Sequence, residues 1–381
     1  MTRAEPPIVN DRFAPRLALF YAAFFVMSGL HMMAFPVWLA AKGLDVAAIG
    51  IVLATPQFLR LIAIPVGTRL ADRRGALNGP LAATALATAA AMVLVALADG
   101  FTAILAAVVL VALVSAPVLP LSDAYALKGL AARGLSYGPV RVWGSVAFIA
   151  ANLAGGLMLS TLAPVHLIWP IVSAYGAMAV TTLMLVRLPA TPRPHAHRSH
   201  GHLRQPAFLA VMAAASFTQA SHAVYYGFST LAWSAQGFGG TTIGALWALG
   251  VAAEIVLFAL AGRLSGFAPT TLIALGAAGG VLRWAAMALD PPAALLPALQ
   301  VLHALSFGAT HLGTMAYLAT AAPEGSRAAA QGDVSTANGI AMAGATVLAG
   351  WLYQSYGGAA YGAMAAICAA GGLFALVARR S

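Results

Sequence analysis

Lys42-Gly43-Leu44-Asp45-Val46-Ala47-Ala48-Ile49-Gly50 and Gln236-Gly237-Phe238-Gly239-Gly240-Thr241-Thr242-Ile243-Gly244 are two versions of one segment, 194 residues apart. The same offset relates Gly138 to Gly332 and Gly156 to Gly350. One offset that holds across distant segments reads as an internal duplication, a pattern that transport folds leave in their sequences.

Each copy of the segment lies between apolar runs. Runs of about 20 residues are long enough to cross a bilayer. They fall at 17–40, 47–70, 77–98, 102–126, 139–160 and 165–187, and again at 206–234, 242–262, 269–289, 294–320, 329–353 and 358–378. Backbone polar groups in lipid must be bonded within their own segment, so the runs read as helices. Short connections such as Asp99-Gly100 and Asp290-Pro291-Pro292 turn antiparallel neighbours. The expected fold is an all-α membrane protein with twelve transmembrane helices in two pseudo-symmetric six-helix bundles. The bundles are expected at 1–187 and 206–381, joined by a cytoplasmic linker at 188–205.

Composition agrees. Of 381 residues, 61% are hydrophobic and 8% charged, against about 25% charged in soluble domains. The net charge of +10 does not point to nucleic acid. With the N-terminus in the cytoplasm, 16 of the 20 Lys and Arg fall in cytoplasmic segments, as the positive-inside rule requires. The single cysteine, Cys368, excludes an internal disulfide. The polar stretch Met1–Arg16 reads as no signal peptide. The expected location is a bacterial inner membrane, with both termini cytoplasmic.

The loop after span two, Thr68-Arg69-Leu70-Ala71-Asp72-Arg73-Arg74-Gly75, resembles the G-x-x-x-D-R-x-G motif of the major facilitator superfamily. Thr68 replaces the first glycine, although Gly67 is adjacent. The resemblance implies the major facilitator fold and a gating role for Asp72 and Arg73. Tyr137-Gly138-Pro139-Val140-Arg141-Val142-Trp143-Gly144-Ser145 in span five, with the Gln331-Gly332 start of span eleven, resembles the phenylpropionate permease group. That group is related to the lactose and nucleoside proton symporters. The resemblance implies uptake of a small solute together with protons, by a monomer in the lipid bilayer. It also implies that spans five and eight adjoin, as do two and eleven, and that spans one, four, seven and ten line the path.

A charge at the bilayer centre costs about 2.5–3.5 kcal/mol on insertion scales. Arg60, Asp123, Arg141, Glu254 and Arg283 therefore need a cavity or a partner. Arg60 and Glu254 are related by the same 194 offset. Arg141 and Glu254 are expected to meet between the halves, either as a fixed lock or as a working pair. In the working version an anionic solute takes Arg141, and the released Glu254 binds a proton. Asp123 is either a gate contact or a second proton site. Arg283 is expected to be structural, since span nine is peripheral in this fold.

Residues three and four apart share a helix face. On that spacing span one offers His31, Phe35 and Trp38. Span seven offers His222, Tyr225, Tyr226, Ser229 and Trp233, and span ten His303, Phe307 and His311. Gln57 accompanies Arg60, and Asn152 lies nearly on the face of Arg141. An aromatic pocket with a few polar groups suits a small amphiphile. Trp38 and Trp233, near span ends, are expected to anchor at the membrane interface. His195, His197, His200 and His202 read as a flexible tether, with weak Zn²⁺ or Ni²⁺ binding the lesser reading.

No H-E-x-x-H pair, G-x-S-x-G elbow, P-loop or dinucleotide fingerprint is present. No enzyme activity and no cofactor are expected. Proton-coupled uptake of a small organic solute, with a monocarboxylate favoured, is the leading reading. A proton-coupled exporter, or a sugar or nucleoside symporter, is the alternative, and a membrane enzyme a remote one.

Overall fold

The computed structural model describes residues 12–73, 77–189, 201–321 and 327–380. The side chains of Asp72 and Arg73, and all of Arg74, Gly75, His195, His197 and His200, lie outside the described residues.

Twelve membrane-length helical spans follow one another among the described residues. Span one is Phe13–Ala41, span two Val46–Arg73 and span three Asn78–Leu97. Span four runs in two pieces, Gly100–Ser115 and Val118–Ala131. Span five is Tyr137–Thr161 and span six Ile168–Leu183. Span seven is also in two pieces, Pro206–Ala220 and Ala223–Ala235. Span eight is Gly240–Ala259, span nine Pro269–Ala288, and span ten covers Ala293–Ala321. Span eleven is Arg327–Tyr356 and span twelve Tyr361–Arg380. An even number of crossings brings the end of span twelve back to the side where span one begins. That side is called the terminal end below, and the other the distal end.

The duplicated segment forms the same structure twice. Gly43 and Gly237 have φ of +82° and +86°, a left-handed conformation that favours glycine. Each closes its helix with the same pair of bonds. Gly43 N–H donates to Ala40 O and Leu44 N–H to Leu39 O, at 3.0 and 3.2 Å. Gly237 N–H donates to Ser234 O and Phe238 N–H to Trp233 O, at 3.1 and 3.0 Å. This is the Schellman arrangement, which satisfies the last carbonyls of a helix. The residue before each glycine also ties its turn to the next distal loop. Lys42 pairs with Asp99, and Gln236 Nε2 donates to Asp290 Oδ1 at 3.1 Å.

The glycines also determine how the halves meet. Span two packs on span eleven, and span five on span eight. At the distal end these contacts are backbone on backbone. A Cβ on Gly50 would lie 2.8 Å from Gly350 Cα, and one on Gly244 would lie 2.4 Å from Asn152 O and 3.0 Å from Gly156 Cα. The 194 offset converts one pair into the other, Gly50 to Gly244 and Gly350 to Gly156. Helices in lipid associate through such close packing of small residues.

Three spans are less regular than the apolar runs suggest. Span four bends where Pro117 has no N–H to give, and Pro117 then packs against Gly67. Span seven breaks at Ser221, whose hydroxyl donates to Thr218 O at 2.7 Å and accepts from Trp284 Nε1 at 2.9 Å. Span ten contains a π-helical turn at Ala304–Ala309. Trp38 and Trp233 are not interfacial anchors. Both are buried in the core, packed against Phe35 and Tyr225 respectively.

Candidate functional site

Two polar clusters lie within the spans, one in each half. The first is built on Asp123 in span four. Its Oδ1 accepts from the Tyr21 hydroxyl at 2.7 Å and the Tyr137 hydroxyl at 2.9 Å. The Arg141 guanidinium lies over the Phe25 ring at 4.0 Å and the Tyr21 ring at 5.4 Å. Tyr21 and Phe25 are one turn apart on span one, as are Tyr137 and Arg141 on span five, so each helix presents a pair to one place. The sequence identifies Asp123 and Arg141 but not Tyr21, Phe25 or Tyr137. The four-residue spacing is the available signal.

The second cluster is built on Arg283 in span nine, which is fully buried. Its Nη1 lies 3.0 Å from His303 Nδ1, and its Nη2 donates to Gln300 Oε1 at 2.7 Å. The guanidinium stacks on Tyr225 and Trp284, each at 4.4 Å. A guanidinium only donates, so His303 Nδ1 accepts and the neutral ring carries its proton on Nε2. That Nε2 is 3.7 Å from Glu254 Oε2 of span eight. His222 joins from span seven. Its Nδ1 faces the Thr218 and Gln219 carbonyls at 3.2 and 3.1 Å, and its Nε2 lies 3.1 Å from Ser306 Oγ. Tyr226 stacks on His222 at 5.4 Å. Arg283, expected to be peripheral scaffolding, is the centre of this cluster.

Arg141 and Glu254 belong to facing helices. Among the described residues no ion pair joins them. The reason lies in where these helices touch. Gly156 and Gly244 are in backbone contact, whereas Arg141 is 15 residues, or about 22 Å, further along span five. Glu254 is ten residues, or about 15 Å, along span eight.

The other candidates are more scattered. Arg60 Nη1 donates to Gln57 Oε1 at 3.0 Å. Arg60 lies two turns from Leu53, which points at Gly227 of span seven, so both share the face turned to the other half. Asn152 sits in the distal contact, with its amide donating to Phe148 O at 2.8 Å. His31 points at span six, where Nδ1 is 3.4 Å from the Tyr175 hydroxyl, and stacks on Phe35 at 4.4 Å. His311 is exposed beyond Phe307, whose ring it parallels at 6.3 Å. His202 Nε2 lies 2.7 Å from Asp333 Oδ2 of span eleven. Among the described residues no group of three or more His, Cys, Asp and Glu is placed to hold a metal ion.

Two six-helix bundles that meet in glycine seals, with ionisable residues at membrane depth along their boundary, define a membrane transporter of the major facilitator fold. The chain belongs to the MFS_1-like family, whose model matches residues 15–362. It is 31% identical over 370 residues to a probable 3-phenylpropionic acid transporter of Escherichia coli (strain K12), covering 92% of this chain and 94% of that one. It is 27% identical over 352 residues to the maltose permease of Geobacillus stearothermophilus, covering 89% and 87%. Among solved structures it resembles the nucleoside transporter NupG. The TM-score is 0.82 at 16% identity, over 97% of this chain and 99% of the other.

Proposed function

We propose that the protein takes up a small organic anion, with an aromatic monocarboxylate favoured, together with protons, by alternating access in a bacterial inner membrane. It works as a monomer with both termini in the cytoplasm. The glycine contacts then lie at the outer face.

The observation that carries the reading is the separation of opposite charges across the boundary. Arg141 and Glu254 occupy facing helices and are not bonded to each other. A guanidinium resting on Phe25 and Tyr21 keeps its N–H edge for a carboxylate, which it binds in a fork. The adjoining rings suit an aromatic body. Glu254 has His303 Nε2–H within 3.7 Å, and Arg283 sets that tautomer from behind. Glu254 takes a proton when the solute neutralises Arg141, and the loaded site then carries little net charge as the halves rock. The relative in Escherichia coli, named for 3-phenylpropionic acid, supports an aromatic acid as the first candidate.

The test is uptake of labelled 3-phenylpropionate into proteoliposomes under an imposed inward proton gradient. Accumulation that collapses with a protonophore supports the reading. Accumulation that ignores the gradient, or flux only outward, overturns proton-coupled uptake.

A further inference from the structure

Leu70 and Ala71, within the motif, line a feature that includes no residue of the two polar clusters. A slot of about 400 Å³ lies between spans two, three and four, in the half of the membrane nearest the terminal end. Ile62 and Val66 form one wall, Ala83 and Ala87 the second, and Leu113 and Pro117 the third. Thr84 also lines it, but its hydroxyl donates to Pro80 O at 2.9 Å, so the lining offers little to a hydrophilic guest. The slot faces away from the boundary between the halves. Ile62 is 66% exposed, and it lies about 200° around the helix from Arg60.

Span two sets the depth. Its 28 residues make a helix about 42 Å long, against a hydrocarbon core of about 30 Å. A centred helix therefore extends about 6 Å beyond the hydrocarbon at each end. Arg69, four residues before the end, falls at about that boundary. It is two turns from Ile62, hence on the slot's face, and it is exposed with no ion-pair partner among the described residues.

We infer that one anionic phospholipid of the leaflet nearest the termini occupies this slot, its acyl chain between spans two, three and four and its headgroup phosphate on Arg69. Pro117 makes the slot. It interrupts span four beside the slot, and its ring packs against Gly67 in the lining.

The experiment is native mass spectrometry of the delipidated full chain. Phosphatidylglycerol, phosphatidylethanolamine and phosphatidylcholine of identical acyl composition are added in turn. One phosphatidylglycerol adduct is expected, about fivefold tighter than the others, the gain of one arginine near the membrane surface. Arg69→Gln should bring the three lipids to equal affinity. Arg263→Gln, at the position related by the 194 offset, should leave the preference intact. Val66→Trp and Ala87→Trp fill the slot from opposite walls, and each should remove the adduct for all three lipids. If one variant does not fold, the other gives the same reading. An adduct that survives filling, equal binding by the wild type, or a preference lost in Arg263→Gln overturns the inference. So does a dimer that disappears on filling, which would assign the slot to a second copy.

Discussion

The two halves repeat one backbone but hold their ions in opposite ways. In the N-terminal half the acid is held and the base is open. Asp123 accepts from two tyrosine hydroxyls, while Arg141 rests on rings with its N–H edge available. In the C-terminal half the base is held and the acid is more open. Arg283 is buried against His303, Gln300, Tyr225 and Trp284, while Glu254 has one long contact, to His303. A duplicated scaffold thus presents a cation from one side and an acid from the other. That complementarity is what the proposed crossing of an anion with a proton would require.

The comparison can be broken most directly at Glu254. A Glu254→Gln carrier cannot hold the proton, so accumulation in proteoliposomes should fall to passive equilibration while solute exchange continues. Full accumulation in that variant would remove Glu254 from coupling. Arg141→Ala comes next. A charge-assisted bond is worth about 1.5–3 kcal/mol, so the solute should bind roughly 10- to 150-fold more weakly by calorimetry. An unchanged affinity would move the anion site elsewhere. Because the fork matters, Arg141→Lys should recover only part of the loss.

Stability sharpens the contrast between the held ions. Arg283→Ala leaves Gln300 and His303 without their partner in a dry core and opens a cavity. It should lower unfolding stability by about 2–4 kcal/mol. Asp123→Asn keeps an oxygen that the Tyr21 and Tyr137 hydroxyls can reach, so the loss should be about 0.5–1.5 kcal/mol. Detergent thermal denaturation of both proteins reads the difference. Equal losses would mean that the two clusters are held alike.

The fold is legible in the sequence because it rests on local chemistry. Apolar runs report crossings, and glycine after a helix reports a left-handed cap. Both Gly43 and Gly237 adopt that cap, so the repeat is visible at the level of backbone conformation. The distal contact is half legible. Gly50, Gly156, Gly244 and Gly350 stand out by their offset, but nothing in one dimension says that they touch. The site is harder to read. Arg283 reads as structural because its span is expected to be peripheral, and its partners at 300 and 303 lie on another span. Tyr21 and Tyr137 stay hidden because a tyrosine in an apolar run looks like packing until an acid such as Asp123 is seen opposite. The break at Ser221 has no glycine or proline to announce it.

The backbone contacts at the distal end have one further consequence. Shutting that end immobilises no rotamers at the four glycines, because they have none. The joint therefore forms with little side-chain entropy lost. Both arrangements of the molecule can lie close in free energy, which leaves a modest binding event enough leverage to choose between them.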